Sequence, residues 1–561
     1  MRTTFLTWSL TAALALAQSP STDVAVGVFP FLVGNMDSRI SEIVTNCQTR
    51  GIDTLYVSAF RATGPSAGDL WVTDSAGDWN LAWGPVRPGG AGIHLQNLIT
   101  ACHAANVRVI PVLKCFNDNV QPTSAAHKQY LLGVIDYFVD AWKLDGTPVY
   151  DFDGIALDYI RFVGAGGVND PTQVTNFLAD VRQRIGSLSL HCYLIASRFT
   201  FDGPTYDGNF ASYTSVSNSF SSQYGQNWQQ MAQYCDVLMP MSYTANGSIY
   251  STAALHRAYV QQTAAYVRNA CTLAGFPGRR VCPVVKTYTG EGETTTVATI
   301  DASIQGALLG GGNGYQSFRY QFLVDNPTWW GPMQNRAVPG CNWPMPIATT
   351  SSPTLTVQFE PSTSRDADQA AATLQARFDF NDDRTFETGW LPLGATNGVP
   401  RYPAQWVGCM QVRDTEGHVS TTRRRYTAGP ALTLVPPFVS ASLGGSIQIE
   451  LRTGPAAAGM TYVMLGTVSG TSPGITWQPG VPIPINFDFV TELFLTTPNS
   501  PILQNGSSTF DAQGRATATL NVPPGLLTPL VGGLIHWSFA AVDPLFRPLC
   551  VGEADSMFIF L

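Results

Sequence analysis

Charge is scarce in this chain: 12% of its 561 residues are Asp, Glu, Lys or Arg, and 31 basic against 39 acidic residues leave a formal net charge of −8. Such a balance offers no basic stripe for phosphates, which sets nucleic-acid partners aside. Metal-ligating patterns are missing too. The seven histidines are dispersed without HxH or HxxxH and the ten cysteines show no CxxC, so no metal site and no cofactor is expected. The turn after the first strand-like run reads FLVGNMDSRI, not GxGxxG, and no P-loop, Ser–His–Asp or flavin signature stands out. Long apolar runs are also absent. The most apolar stretch, 526–542, is interrupted by Pro529, His536 and Trp537 and reads as strand, so no transmembrane segment is expected.

What is present is a globular composition, 45% hydrophobic, with 52 Gly and 38 Pro that imply many turns. The length exceeds what one core sustains. At the N-terminus, Arg2, the apolar run Phe5–Leu16 and the Ala15-Leu16-Ala17 pattern predict a secretory signal peptide over 1–17. This places the mature chain outside the cytoplasm, as a secreted, cell-surface or periplasmic protein. An oxidising compartment permits disulfides, and Cys271 with Cys282 is the favoured pair.

Over 22–346, β-branched runs beginning at Val24, Asp53, Val107, Asp153, Leu190, Asp236, Val281 and Gly314 alternate with segments of helical period. Eight such units predict a (β/α)8 TIM barrel, with a doubly wound open sheet as the competing arrangement. An eighth helix is not evident. After Pro346 short alternating runs replace helical period, and the Pro-rich break near Gly429 divides them into two β-sandwich domains, 352–428 and 432–561. In FDFNDDRTF, Asp379, Asn381 and Asp383 alternate as calcium ligands do. Arg384 replaces the glycine of a calcium loop, so a hairpin turn is the expectation.

The stretch DFDGIALDYIRF is the most informative. On an alternating strand Gly154, Ala156 and Asp158 share one face and Ile155, Leu157 and Tyr159 the other, so a small face lines the barrel interior and Asp158 arrives at the C-terminal tip. Chemistry in such barrels sits at that end, whereas Asp153 and Asp236 precede their strands and belong to the opposite, stabilising face. Other strand tips carry Arg61, Lys114, Asn117, Tyr159, Arg161, Arg198, Tyr243, Arg319 and Tyr320. Arginine forks and aromatic faces suit sugar hydroxyls, carboxylates and ring faces. The cationic tips hint at an acidic polysaccharide. The segment Thr63–Ile93 reads as a long loop whose Trp71, Trp79 and Trp83 form a stacking wall.

The run DGIALDYIRF, followed by CDVLMPMSYTANG and GGNGYQSFRYQF, resembles the secreted glycosyl-hydrolase-like family 10 barrels, over about residues 24–345. The resemblance implies a carbohydrate-active enzyme. Val163 departs from the proline common in those relatives. The DGxDxDxE motif of chitinase-like barrels is not met, since Ile160 stands at its acid position. The segment 352–428 resembles PKD-type immunoglobulin-like modules of secreted bacterial proteins, and 432–561 resembles a terminal β-sandwich of secreted planctomycete proteins; the resemblance implies a bacterial source and cell-surface attachment through these modules.

Glycoside hydrolysis uses two carboxylates, about 5–5.5 Å apart for retention and about 6.5–9.5 Å for inversion. Asp158 is read as nucleophile or base, with Arg161 nearby to favour its charged form. Glu291, nearest the end of strand seven, is chosen as general acid over Glu293, Asp202 and Asp207. Substrate contacts are assigned to Arg61, Trp83, Lys114, Tyr159, Arg161, Arg198, Asp202, Tyr243 and Arg319. The alternatives are a non-catalytic carbohydrate-binding barrel and a cell-surface structural protein.

Overall fold

The computed structural model describes residues 23–28, 37–73, 86–116, 120–140, 147–162, 169–196, 221–243, 252–290, 295–334, 349–351, 356–366, 369–394, 397–400, 404–428, 432–453, 457–476, 482–542, 548–552 and 554–561. The proposed leader 1–17 lies outside them.

Strands β1 (Asp23–Val28), β2 (Thr54–Gly64), β5 (Arg108–Lys114), β6 (Gly154–Asp158), β7 (Ser189–Ile195), β8 (Val237–Met241), β9 with β10 (Arg280–Val281, Val284–Lys286) and β11 (Gly314–Phe318) run parallel. β1 pairs with both β11 and β2, which closes the eight staves into a barrel and excludes the open sheet. Helices α1 (Ile40–Arg50), α2 (Leu95–Ala104), α3 (Ala125–Val139) and α4 (Pro171–Ile185) lie between the earlier staves. Their apolar faces meet the outward residues of the strands in one core that includes Ile155, Leu157, Phe177 and Val181. The inward residues form a separate core of Ala25, Tyr56, Ile110, Val112, Ala156, Tyr193, Met239, Cys282 and Val284. The two-residue alternation of DGIALD is thereby resolved as Ala156 inside and Ile155 and Leu157 outside. Gly154 is required by a close approach: a Cβ there would lie 2.6 Å from the Ser189 carbonyl oxygen.

Four polar residues just ahead of the even staves repeat one device on the underside. Asp53 accepts from Val24 N–H (2.8 Å), Asp153 from Val109 N–H (2.7 Å), Asp236 from Leu190 N–H (2.9 Å) and Asn313 from Val281 N–H (2.9 Å). Each satisfies the N–H of the second residue of the preceding odd stave, close to the rim. Asp153 and Asp236 thus hold the barrel floor together, as their position before the strands predicted.

Three expectations are corrected. The eighth helix exists as two short pieces, α8 (Tyr320–Asp325) and α9 (Trp330–Gln334), reached in sequence after helices α5 (Trp228–Ala232), α6 (Ala253–Leu273) and α7 (Val297–Leu309). Asn326-Pro327 breaks it, and five or six residues are too few for a 3.6-residue period to show. The segment after β2 is not a plain loop: β3 (Ala67–Thr73) folds back on β2 and pairs with β4 (Val86–His94), extending the sheet past the barrel mouth. Cys271 and Cys282 are both free thiols. Cys271 packs in the outer core and Cys282 in the inner one, so the barrel wall separates them.

Beyond the barrel the chain forms antiparallel β-sheet domains. The first has sheets of three strands and four strands, the longest being Ala404–Arg413 and Val419–Ala428. The last pairs a four-stranded with a six-stranded sheet. The NDDR segment is a turn, with Asp379 accepting the N–H groups of Asn381, Asp383 and Arg384. This first domain docks on the underside of the barrel. Arg365 donates to the His103 carbonyl (2.8 Å), Ser187 N–H to Asp382 (3.2 Å), and Arg423 to the Val139 carbonyl (3.1 Å). The C-terminal mouth is therefore left uncovered by that domain.

Candidate active site

Asp158 ends β6 on the interior face, and the residue is 8% exposed. Its side chain makes one hydrogen bond among the described residues, accepting from Tyr159 N–H at 2.7 Å through Oδ1. The second oxygen makes no hydrogen bond to the described residues. Tyr159 has φ of 54°, a left-handed conformation uncommon for a residue with a side chain. The turn redirects the chain directly after the carboxylate.

Cations and rings surround this tip. The Lys114 ammonium lies 5.5 Å from the centre of the Tyr159 ring, and the Arg161 guanidinium 4.5 Å from the same ring. Burial pulls the Lys114 pKa below its ordinary range; Asp158 opposes that pull, while Arg61, Arg319 and Arg161 reinforce it. These five side chains consequently share one electrostatic neighbourhood. Arg61 also pairs with Asp69 at 3.3 Å. Across the mouth, Tyr243 stacks on Phe318 at 5.8 Å, and Tyr288 stands edge-on to both. Lys286 donates to the Gly290 carbonyl (2.5 Å) and lies over the Tyr288 ring. Arg319 stacks on Phe322, with its guanidinium 4.9 Å from the ring centre. The floor is polar as well as apolar: Tyr193 donates to Gln316 (2.9 Å), and Tyr56 bonds His191 Nδ1 (2.8 Å).

Seven residues singled out in the sequence, Asp158, Arg61, Lys114, Tyr159, Arg161, Tyr243 and Arg319, thus lie at the strand C-termini. Glu291, Glu293, Trp79, Trp83, Asn117, Arg198, Asp202 and Asp207 lie outside the described residues, and Trp71 is described only as backbone of β3. Glu291 directly follows Gly290, whose carbonyl Lys286 holds. Arg161 stands near the tip as expected, with its guanidinium stacked on Tyr159. One placement changes. Tyr320 belongs to the outside of the barrel, fully buried, with its hydroxyl donating to Glu42 at 3.0 Å.

Sequence reading missed Lys286, Tyr288 and Phe318. Alternation along VVK would have turned Val284 and Lys286 to the interior. It also missed Asp69, a carboxylate brought to this end by the β2–β3 hairpin, for which a segment read as loop held no signal. Among the described residues one group has ligand atoms close enough for a metal, Asp414, Glu416 and His418, within 4.8 Å of one another. Asp414 is engaged there as a turn acceptor, bonding the N–H of Glu416 and His418 and His418 Nδ1 (2.6 Å).

No family model and no curated protein matches the sequence. Solved structures similar to part of the chain include the PgaB (BpsB) glycoside hydrolase domain from Bordetella bronchiseptica, at 10% identity and a TM-score of 0.38, covering 56% of this chain and 98% of that one. The endo-beta-1,4-mannanase from Thermotoga petrophila matches at 10% identity and a TM-score of 0.37, covering 73% of this chain and 98% of that one. The catalytic domain of psychrophilic chitinase B from Arthrobacter TAD20 matches at 11% identity and a TM-score of 0.39, covering 58% of this chain and 97% of that one. Likeness at this level assigns no residue, substrate or reaction to this chain.

Proposed function

We propose that the chain is a glycoside hydrolase acting on a polysaccharide or oligosaccharide at the barrel mouth. The observation that supports this most is Asp158: a carboxylate at a strand C-terminus, held by one local hydrogen bond among the described residues, amid stacked aromatics and cations. In this reading Asp158 is nucleophile or base, and Glu291 protonates the leaving oxygen. Arg61, Lys114, Arg161 and Arg319 hold hydroxyls or acidic groups of the sugar, and Tyr159 and Tyr243 present ring faces. The leader at 1–17 would deliver the protein outside the cytoplasm, and the β-sandwiches would attach or space the barrel.

The test is release of reducing ends by purified protein from neutral, amino and uronic-acid polysaccharides. Release from at least one supports the reading. Binding without release on every polymer would replace it with a carbohydrate-binding barrel.

The lowered Lys114 pKa gives a pH prediction. A lysine whose pKa is depressed loses its charge at lower pH than usual, so if that charge orients the sugar, kcat/KM should fall on the alkaline side before the ordinary lysine range. Lys114→Arg, which stays charged, should push that limb upward. An unchanged alkaline profile in this variant would show that Lys114 does not control it.

A further inference from the structure

The underside of the barrel carries a second concavity, far from Asp158. Where the first β-domain docks, a cleft of 620 Å³ remains between the two walls. The barrel contributes Arg182, Arg279 and Arg280, the β-domain contributes Arg377 and Arg384, and Asp236 is the one carboxylate among the lining residues. We propose that this cleft binds an anionic oligosaccharide, a segment of a uronic-acid or sulfated polymer, at a site separate from the catalytic mouth.

The charges do not balance inside the cleft. Arg182 and Arg279 both pair with Asp236, at 2.5 and 2.7 Å; Arg182 also donates to the carbonyls of Tyr234, Gly186 and Leu188, and Arg279 to those of Ala232 and Gln233. Two cations thus share one anion. Arg377 donates through Nε and Nη2 to Gln411 Oε1, a neutral acceptor, and lies 3.9 Å from the Phe386 ring centre and 4.5 Å from that of Trp390. The stacking fixes the plane of its guanidinium, as bidentate recognition of an oxyanion requires. Arg384 lines the opening with its guanidinium partly desolvated and makes no side-chain hydrogen bond or ion pair with the described residues, while its backbone N–H is held by Asp379 at 2.7 Å. Partial desolvation, then Arg182 and more weakly Arg279, lower its pKa, while Asp236 and Asp382 oppose them. A ligand carrying negative charge would relieve that repulsion.

Shape narrows the ligand. A volume of 620 Å³ is in the range of small-molecule sites, about 300–1,000 Å³, and is far more than one inorganic oxyanion fills. Guanidinium groups stand on both walls, which suits acidic groups on separate units of one chain. Phe276, which is 37% exposed and lies under the Arg279 guanidinium at 5.0 Å, and Phe386 beneath Arg377 add apolar surface, and the walls also include Ser187, Ser189 and Thr421. Alternating apolar faces, hydroxyls and fixed cations match an acidic pyranose better than a bare phosphate. The site lies on the face opposite Asp158, so a polymer held here would be anchored without occupying the mouth.

The test is calorimetric titration of the full-length Asp158→Asn protein, which removes turnover. The titrants are a uronic-acid oligosaccharide, a neutral oligosaccharide of equal length and inorganic phosphate. The acidic oligosaccharide should bind, the neutral one should not bind at this site, and Arg377→Gln/Arg384→Gln should weaken one binding event by about tenfold or more, the loss of charge-assisted hydrogen bonds. Arg384→Gln alone should weaken it in part, and since that side chain holds nothing else in place, its thermal unfolding should match the parent. An unchanged affinity in both variants overturns the site. Equal binding of phosphate and the acidic oligosaccharide overturns the glycan and leaves a simple anion cleft. Because the readout is binding on a catalytically silenced protein, its result stands apart from any failure to find hydrolysis at the mouth.

Discussion

Asp158→Asn should lower turnover by about a thousandfold or more while leaving the fold and sugar affinity nearly intact, the pattern of a lost reacting group. Asparagine keeps the shape and an oxygen able to accept the Tyr159 N–H, so the tip of β6 should hold its geometry. What disappears is the negative charge that would attack the anomeric carbon or activate water. The surrounding cations then have no carboxylate to favour, and Lys114 loses the one interaction named here that raises its pKa. Steady-state kinetics on the best substrate of the panel, with thermal unfolding as control, decides it. A variant within about tenfold of the parent in kcat would remove Asp158 from the chemistry.

Arg423→Ala should cost about 3–5 kcal/mol, the usual penalty for stripping one partner from a buried ion pair. Arg423 is 7% exposed and bonds Asp382 at 2.6 Å, lies 3.8 Å from Asp140 and donates to the Val139 carbonyl. Asp382 in turn accepts from Ser187 N–H on the barrel. Burial disfavours the guanidinium charge, and Asp382 and Asp140 outweigh it, leaving the Arg423 pKa raised. Removing the arginine strands Asp382 at the joint and severs the link to the end of α3. Differential scanning calorimetry should show the barrel and the first β-domain unfolding at more widely separated temperatures than in the parent. A single transition shifted by less than about 1 °C would show that the joint does not rest on this pair.

Eight barrel staves were legible because a strand buried on both faces writes a dense β-branched run, and the intervening helices write a 3.6-residue period. The phase of DGIALD was legible for the same reason: Ala156 and Gly154 fit only the crowded inside. Short elements left no such trace. The broken eighth helix has too few residues for a period, and the β3–β4 arm lies in a segment rich in Gly and Asp that reads as loop.

Strand alternation and helical period determined by themselves that this is a parallel barrel with Asp158 at a strand C-terminus and antiparallel β-domains behind it. Those properties are local, carried by neighbours in the chain. Only tertiary structure decided that Arg161 stacks on Tyr159, that Cys271 and Cys282 stand on opposite sides of one wall, and that five arginines from three separate stretches of the chain face a shared cleft. Charge and distance act through space, and closing the barrel and docking the β-domain under it set which side chains become neighbours.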